Sequence, residues 1–213
     1  MKAILVTALG ALALTWAAHA RADIHIGVIV STTGPGASLG IPEQNTVKLW
    51  PAEIGGQKVV LTILNDESDT TVAAKNATRL VAENKVDVIV GPSLTPTSLS
   101  ALELVAQART PMISLAGGGA IIDPPDGPRR WAFRMAPLES IAVTLALDHM
   151  VAQHVKKVGV IALATSFGEG YTKTLERLAP ARGIAVVGVE RYNQNDTTVT
   201  AQTLRLLGRS EGR

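Results

Sequence analysis

Cysteine is absent from the 213 residues, so neither a disulfide framework nor a thiolate metal site can form. That absence is compatible with an oxidising compartment without demanding one. Aromatic residues make up only 3% of the chain, which argues against a stacking platform for nucleic-acid bases. An excess of one charge is missing too. Lys2 and Arg21 belong to a leader, and without them 18 basic side chains face 18 acidic ones. No basic cluster remains beyond Lys156-Lys157 and Arg129-Arg130, which disfavours nucleic acid as a partner. The longest apolar run falls short of the roughly 20 residues needed to span a bilayer. Catalytic signatures are lacking as well: there is no G-x-S-x-G elbow and no H-E-x-x-H helix. His25 falls in a strand, while His149 and His154, five apart, share no helix face. These residues predict no enzyme, no cofactor and no metal.

What is present is a core. Apolar residues reach 46% against 18% charged, a balance that excludes disorder. Met1-Lys2, the apolar run from Ala3 to Ala18 and the small residues at Ala18-His19-Ala20 and Ala20-Arg21-Ala22 predict a secretory signal over residues 1–22, cut after Ala20 or Ala22.

The chain then alternates between strand and helix patterns. Ile24–Val30, Val59–Leu64, Val86–Val90, Met112–Leu115, Val158–Leu163 and Ile184–Val189 are short, nearly all-apolar runs, as expected of strands buried on both faces. Helical spacing is predicted over Ala37–Trp50, Thr70–Glu83, Leu99–Arg109, Glu139–His154, Glu169–Pro180 and Thr197–Leu207. The alternation predicts right-handed parallel units. Trp131–Pro137 reads as extended, at the point where the chain leaves one sheet for a second. The expected units are residues 23–130 and 131–213.

The organising stretch is Val86 to Ala120. A strand ends at Gly91-Pro92, a loop rich in hydroxyls and proline follows (Ser93, Thr95, Pro96, Thr97, Ser98), then a helix, a strand and Gly117-Gly118-Gly119. If the two strands are parallel neighbours, both loops emerge at one carboxyl edge, where open α/β sheets bind ligands. Hydroxyls and free N–H groups at a helix N-terminus suit a carboxylate or another small anion. The same residues can also act as plain helix caps and turns. Gly34, Gly36 and Gly40 miss the dinucleotide spacing by one residue, so Ser31–Gly36 reads instead as a third ligand-facing loop. Asp66, Glu67 and Asp69 are explained by helix capping and a solvated turn as well as by a metal. Trp50 and Trp131 read as packing residues.

Six segments in order resemble the substrate-binding proteins of branched-chain amino-acid-type ABC transporters, the Leu/Ile/Val-binding protein family with the type I periplasmic-binding fold. They are IGVIVSTTGPGASLG after a leader, LNDESDTTVAAKNATRLV, VDVIVGPSLTPTS, TPMISLAGGG, WAFRMAP and FGEGYTKTLE, within residues 23 to 208. The resemblance implies an α/β fold of two doubly wound parallel-sheet lobes that close on a ligand like a hinge. It implies a periplasmic monomer that binds an amino acid or small carboxylic acid and delivers it to an ABC permease in the inner membrane. A ligand sensor of the same fold, and a non-functional truncated product, are the alternatives.

Carried over by resemblance, the ligand carboxylate meets Thr95, with Ser93 and Thr97 nearby, and the main chain of Ala116, Gly117, Gly118 and Gly119. Phe167 stands where the family usually has Tyr, and Leu39 where a bulkier side chain is common. These departures imply a wider, more apolar pocket that suits an aromatic acid as well as leucine. The acid that pairs with a ligand ammonium is expected beyond residue 213. The chain is therefore expected to be the front of a longer protein, with the second lobe incomplete. Leu204, Leu206 and Leu207 are expected to lack cover, the lobe to fold poorly and binding to be weak.

Overall fold

The computed structural model describes residues 22–210; the predicted leader, apart from Ala22, lies outside them. The first sheet contains β1 (Ile24–Val30), β2 (Glu53–Ile54), β3 (Gln57–Asn65), β4 (Val88–Val90), β5 (Met112–Ser114) and β6 (Ala132–Arg134). Their order is β2-β3-β1-β4-β5-β6, parallel throughout except for β2 at the edge. The order in which strands are added reverses at β1, which has β3 on one side and β4 on the other. In such sheets the crevice outside the carboxyl ends at this reversal takes the ligand.

Helices α1 (Ala37–Val47), α2 (Thr70–Ala82) and α3 (Thr95–Gln107) cover this sheet. Because strand side chains alternate, Ile29 joins Leu80, Ile89, Val105 and Met112 in one core cluster, while Val28 and Val30 join Val47 in another. Both faces are buried, which is why the strand sequences show no polar alternation. Trp50 and Trp131 pack on these two clusters.

Two details place the site. Gly91 ends β4 with φ +107°, and a Cβ there would lie 1.9 Å from the Ile29 carbonyl oxygen, so only glycine fits. Helix α3 begins at Thr95, four residues before the predicted Leu99. Leu94 is its extended cap, and Pro96 sits in the first turn, where a missing N–H costs nothing. Thr95 to Ser98 are thus the first turn of a helix rather than a loop.

Strand β6 extends the first sheet through β5 before the chain leaves it. The second sheet, among the described residues, pairs β7 (Lys157–Leu163) with β8 (Ala185–Tyr192) in parallel. Helices α4 (Glu139–Ala152) and α5 (Ser166–Leu178) bury Val143, Leu147, Ala179 and Ile184 on it. Helix α6 (Thr200–Ser210) follows β8. The expected lack of cover holds for Leu204 and Leu207, 64% and 53% exposed, but not for Leu206, which is 7% exposed. Gly159 and Gly188 carry no side chain, and that lets Leu206 settle on the sheet.

Candidate functional site

Strands β4 and β5 pair in parallel, Ile89 with Met112 and Val90 with Ile113. The loop after each therefore emerges at the same edge, and the two touch: a Cβ on Gly118 would stand 2.2 Å from Thr95 Cγ2. Only glycine permits so close an approach. Thr95, first residue of α3, is 2% exposed, and its Oγ1 has no hydrogen-bond partner. Buried hydroxyls are almost always satisfied, so an unpaired one at a helix N-terminus marks a place where an acceptor is wanted. Among the described residues the N–H groups of Gly117 and Gly118 also have no protein acceptor.

Thr95 lines a cavity of about 400 Å³. From the first sheet's side come Leu39 and Glu43 of α1, Ser93 to Pro96, and Leu115 to Gly117. Opposite lie Leu163, Thr165, Phe167, Tyr171 and Gln194. Thr165, the extended residue before α5, has a second buried hydroxyl without a partner. Phe167, 38% exposed, lies with its ring centroid 4.7 Å from that of Tyr171, tilted by 46°. A Cβ on Gly117 would stand 3.1 Å from the Phe167 ring, so the aromatic residue reaches across to the glycine loop. The walls are mainly apolar, and buried hydroxyls without partners sit at a helix N-terminus on each side, that of Thr95 on one and those of Thr165 and Ser166 on the other.

Of the residues singled out from sequence, Leu39, Ser93, Thr95, Ala116, Gly117 and Phe167 line this cavity; Thr97, Gly118 and Gly119 do not. Thr97 is fully buried, and its hydroxyl donates to the Leu94 carbonyl at 3.0 Å, so its proton is used within the helix's own first turn. Gly118 lies behind Thr95. The Gly119 N–H donates to Glu139 Oε1 and is already used. Ser93 Oγ accepts the Ser31 N–H at 3.0 Å and donates to Glu43 Oε2, so its proton is used too. The Ser31–Gly36 loop is stitched to the next turn through Thr32 N–H to Asn65 Oδ1 and Gly36 N–H to Ser68 Oγ, both at 2.9 Å. The cleft is lined instead by the helix that follows it.

Sequence reasoning missed Glu43, Thr165 and Tyr171. The last two flank Phe167 at helical or cap spacing and could have been found; Glu43 had no local signal. Burial pushes the Glu43 carboxyl above its ordinary value, with the Ser93 hydrogen bond opposing and the charge of Asp66 reinforcing. Asp66 is itself buried, not in a solvated turn, and accepts from Ser31 Oγ at 2.6 Å. Asp69 caps α2 through the N–H groups of Thr71 and Val72. Behind the glycine loop, Arg134 Nη1 donates to the Gly117 carbonyl at 2.7 Å and to Glu139 Oε2 at 3.0 Å, with the two side chains 1% and 8% exposed. Burial works against ionised Glu139, but hydrogen bonds from Gly119, its own N–H and Arg134 outweigh it, holding the carboxyl below its usual range.

The sequence matches the periplasmic binding protein family over residues 23–208. The chain belongs to this family. It is 23% identical over 216 residues to the Leu/Ile/Val-binding protein BraC3 of Rhizobium johnstonii, covering 97% of this chain and 57% of that protein. Its fold superposes with TM-score 0.86 on an extracellular ligand-binding receptor from Rhodopseudomonas palustris HaA2, 40% identical, over 89% of this chain and 53% of the other. It also superposes, with TM-score 0.79 and 23% identity, on the solute-binding protein of an ABC transporter from Rhodopseudomonas palustris BisB5, solved with 3,4-dihydroxybenzoic acid, covering 86% and 51%. The fold is thus the type I periplasmic-binding fold. The relatives are binding proteins, not enzymes. The chain spans about half the length of the relatives it matches.

Proposed function

We propose that this chain is the solute-binding part of an ABC uptake system, exported to the periplasm by residues 1–22. It binds a small carboxylic acid between two lobes, the first formed by residues 23–130 and completed by β6, the second following the crossing after β6, and as a monomer presents it to an ABC permease in the inner membrane. The observation that carries this reading is the buried, unpaired Thr95 hydroxyl at the first residue of α3, on a residue that lines a largely apolar cavity. The helix N-terminus and the hydroxyl both favour an anion, while the apolar walls favour an organic one. An aromatic acid is favoured over leucine by the tilted Phe167–Tyr171 pair, which offers ring faces and edges. The relative solved with 3,4-dihydroxybenzoic acid supports that choice. A thermal-shift series with benzoates and branched-chain amino acids tests it. A ligand at a hundred times its Kd should add about 2.7 kcal/mol of stability. No shift with any carboxylate would overturn the proposal.

A further inference from the structure

We propose that Arg134 is a positioning residue of the ligand site: by holding the Gly117 carbonyl from behind, it presents the Gly118 N–H as a second donor, beside Thr95, to the ligand anion. This rests on the reading of the cavity as a carboxylate site. Pairing of β5 with β6 sets Arg134 beside Ser114, just ahead of the glycine loop. Its side chain is 1% exposed, and Nη1 donates to the Gly117 carbonyl at 2.7 Å and to Glu139 Oε2 at 3.0 Å. Neither contact touches the ligand. Both act on the loop that does.

The carbonyl and the N–H of a trans peptide point to opposite sides. Anchoring the Gly117 carbonyl on Arg134 therefore directs the Gly118 N–H away from the guanidinium. The side chain that Gly118 meets is Thr95, whose Oγ1 lies 2.6 Å from the position a Gly118 Cβ would take. Elsewhere on the loop, Ala116 gives its N–H to Ser114 Oγ at 3.2 Å and Gly119 gives its N–H to Glu139 Oε1. Gly118 keeps an N–H without a protein acceptor, next to a hydroxyl that also has none. Three successive glycines have the widest backbone freedom a chain can have. Left untied, the loop would be ordered only when the ligand arrives, at about tenfold in affinity for each residue fixed. Arg134 and Glu139 fix it beforehand.

Amide NMR spectra and calorimetric titration with benzoate and leucine as probes test this, in wild type and in the double variant Arg134→Met, Glu139→Gln. The double variant removes both charges together, so neither is left buried alone, and Glu139→Gln keeps an oxygen for the Gly119 N–H. In free wild type the Gly118 amide should be as ordered as the sheet, with S² about 0.85. A bound probe should move its proton downfield and leave that of Gly119 in place. The double variant, shown to be folded by its urea midpoint, should bind the same probe about tenfold or more weaker, with Gly118 mobile until the probe binds. Affinity within about twofold of wild type in the folded double variant refutes the role of Arg134 and leaves the carboxylate site standing. If the double variant does not fold, wild type decides: a Gly118 amide already ordered and shifted by the probe upholds the inference, and one that is unmoved by a bound probe, or mobile before it binds, refutes it. If neither probe binds wild type, the site reading falls and this inference falls with it.

Discussion

Replacing Thr95 by valine is expected to separate binding from folding. In the free protein the Thr95 hydroxyl is buried and unpaired, so it carries a desolvation cost of about 1–3 kcal/mol that no hydrogen bond offsets. Valine keeps the branched shape and removes that cost. Its new methyl faces Gly118, where Oγ1 already lies 2.6 Å from the position a Cβ would take. A methyl is larger than an oxygen, and crowding takes back part of the gain. Stability should therefore stay within about 1 kcal/mol of wild type or rise. Binding moves the other way. A hydrogen bond to a charged carboxylate is worth about 1.5–3 kcal/mol, so Kd for an aromatic acid should rise roughly tenfold to a hundredfold. Urea denaturation reads the first quantity and calorimetric titration the second, with Thr95→Ser retaining both. A variant that loses more than about 2 kcal/mol of stability at unchanged affinity would show a structural hydroxyl and refute the reasoning.

The other predictions concern the frame around the cleft. Gly118→Ala places a Cβ 2.2 Å from Thr95 Cγ2 and should cost about 1–3 kcal/mol by overpacking, seen as a lower urea midpoint. Glu139→Gln leaves Arg134, 1% exposed, without its counter-charge and should cost about 3–5 kcal/mol; a loss of a few tenths would mean the pair is not holding the glycine loop. The two acids should give opposite pH signatures. The Glu139 carboxyl titrates below its ordinary value in the fold, so its stabilisation is present above the unfolded pKa near 4.5 and fades as pH falls through the folded value. Wild type minus Glu139→Gln should widen from acid to neutral pH. The Glu43 carboxyl titrates above its ordinary value, so its contribution is fullest below about 4.5 and is lost as pH rises through the folded value. Wild type minus Glu43→Gln should narrow over the same range, and denaturation curves at a few pH values decide both.

Much of the frame is readable along the chain because it depends on local chemistry. Apolar runs such as Ile24–Val30 and Val158–Leu163 are long enough for strands and both form them; the first is buried on both faces, whereas the second, in a sheet of two strands among the described residues, buries only Ala162. Asp69 before Thr70 announces a capped helix start, and the cap is there. The start of α3 was misplaced because Thr95-Pro96-Thr97 looks like a breaker; proline in a first turn is tolerated, and the hydroxyl run became the helix's own N-terminus.

The site itself divides along the same line. The sequence alone determined that hydroxyls follow one strand and glycines the next, and that an aromatic residue precedes a G-E-G turn, since residue type and spacing are written in the chain. Tertiary structure decided which of those groups remain free. Gly119 gives its N–H to Glu139, twenty residues on, and Ser93 gives its proton to Glu43, fifty residues back, while Thr95 keeps its hydroxyl unpaired. A hydrogen bond is a pairing in space, so which donor is spent and which is left for a ligand is settled only when distant segments meet.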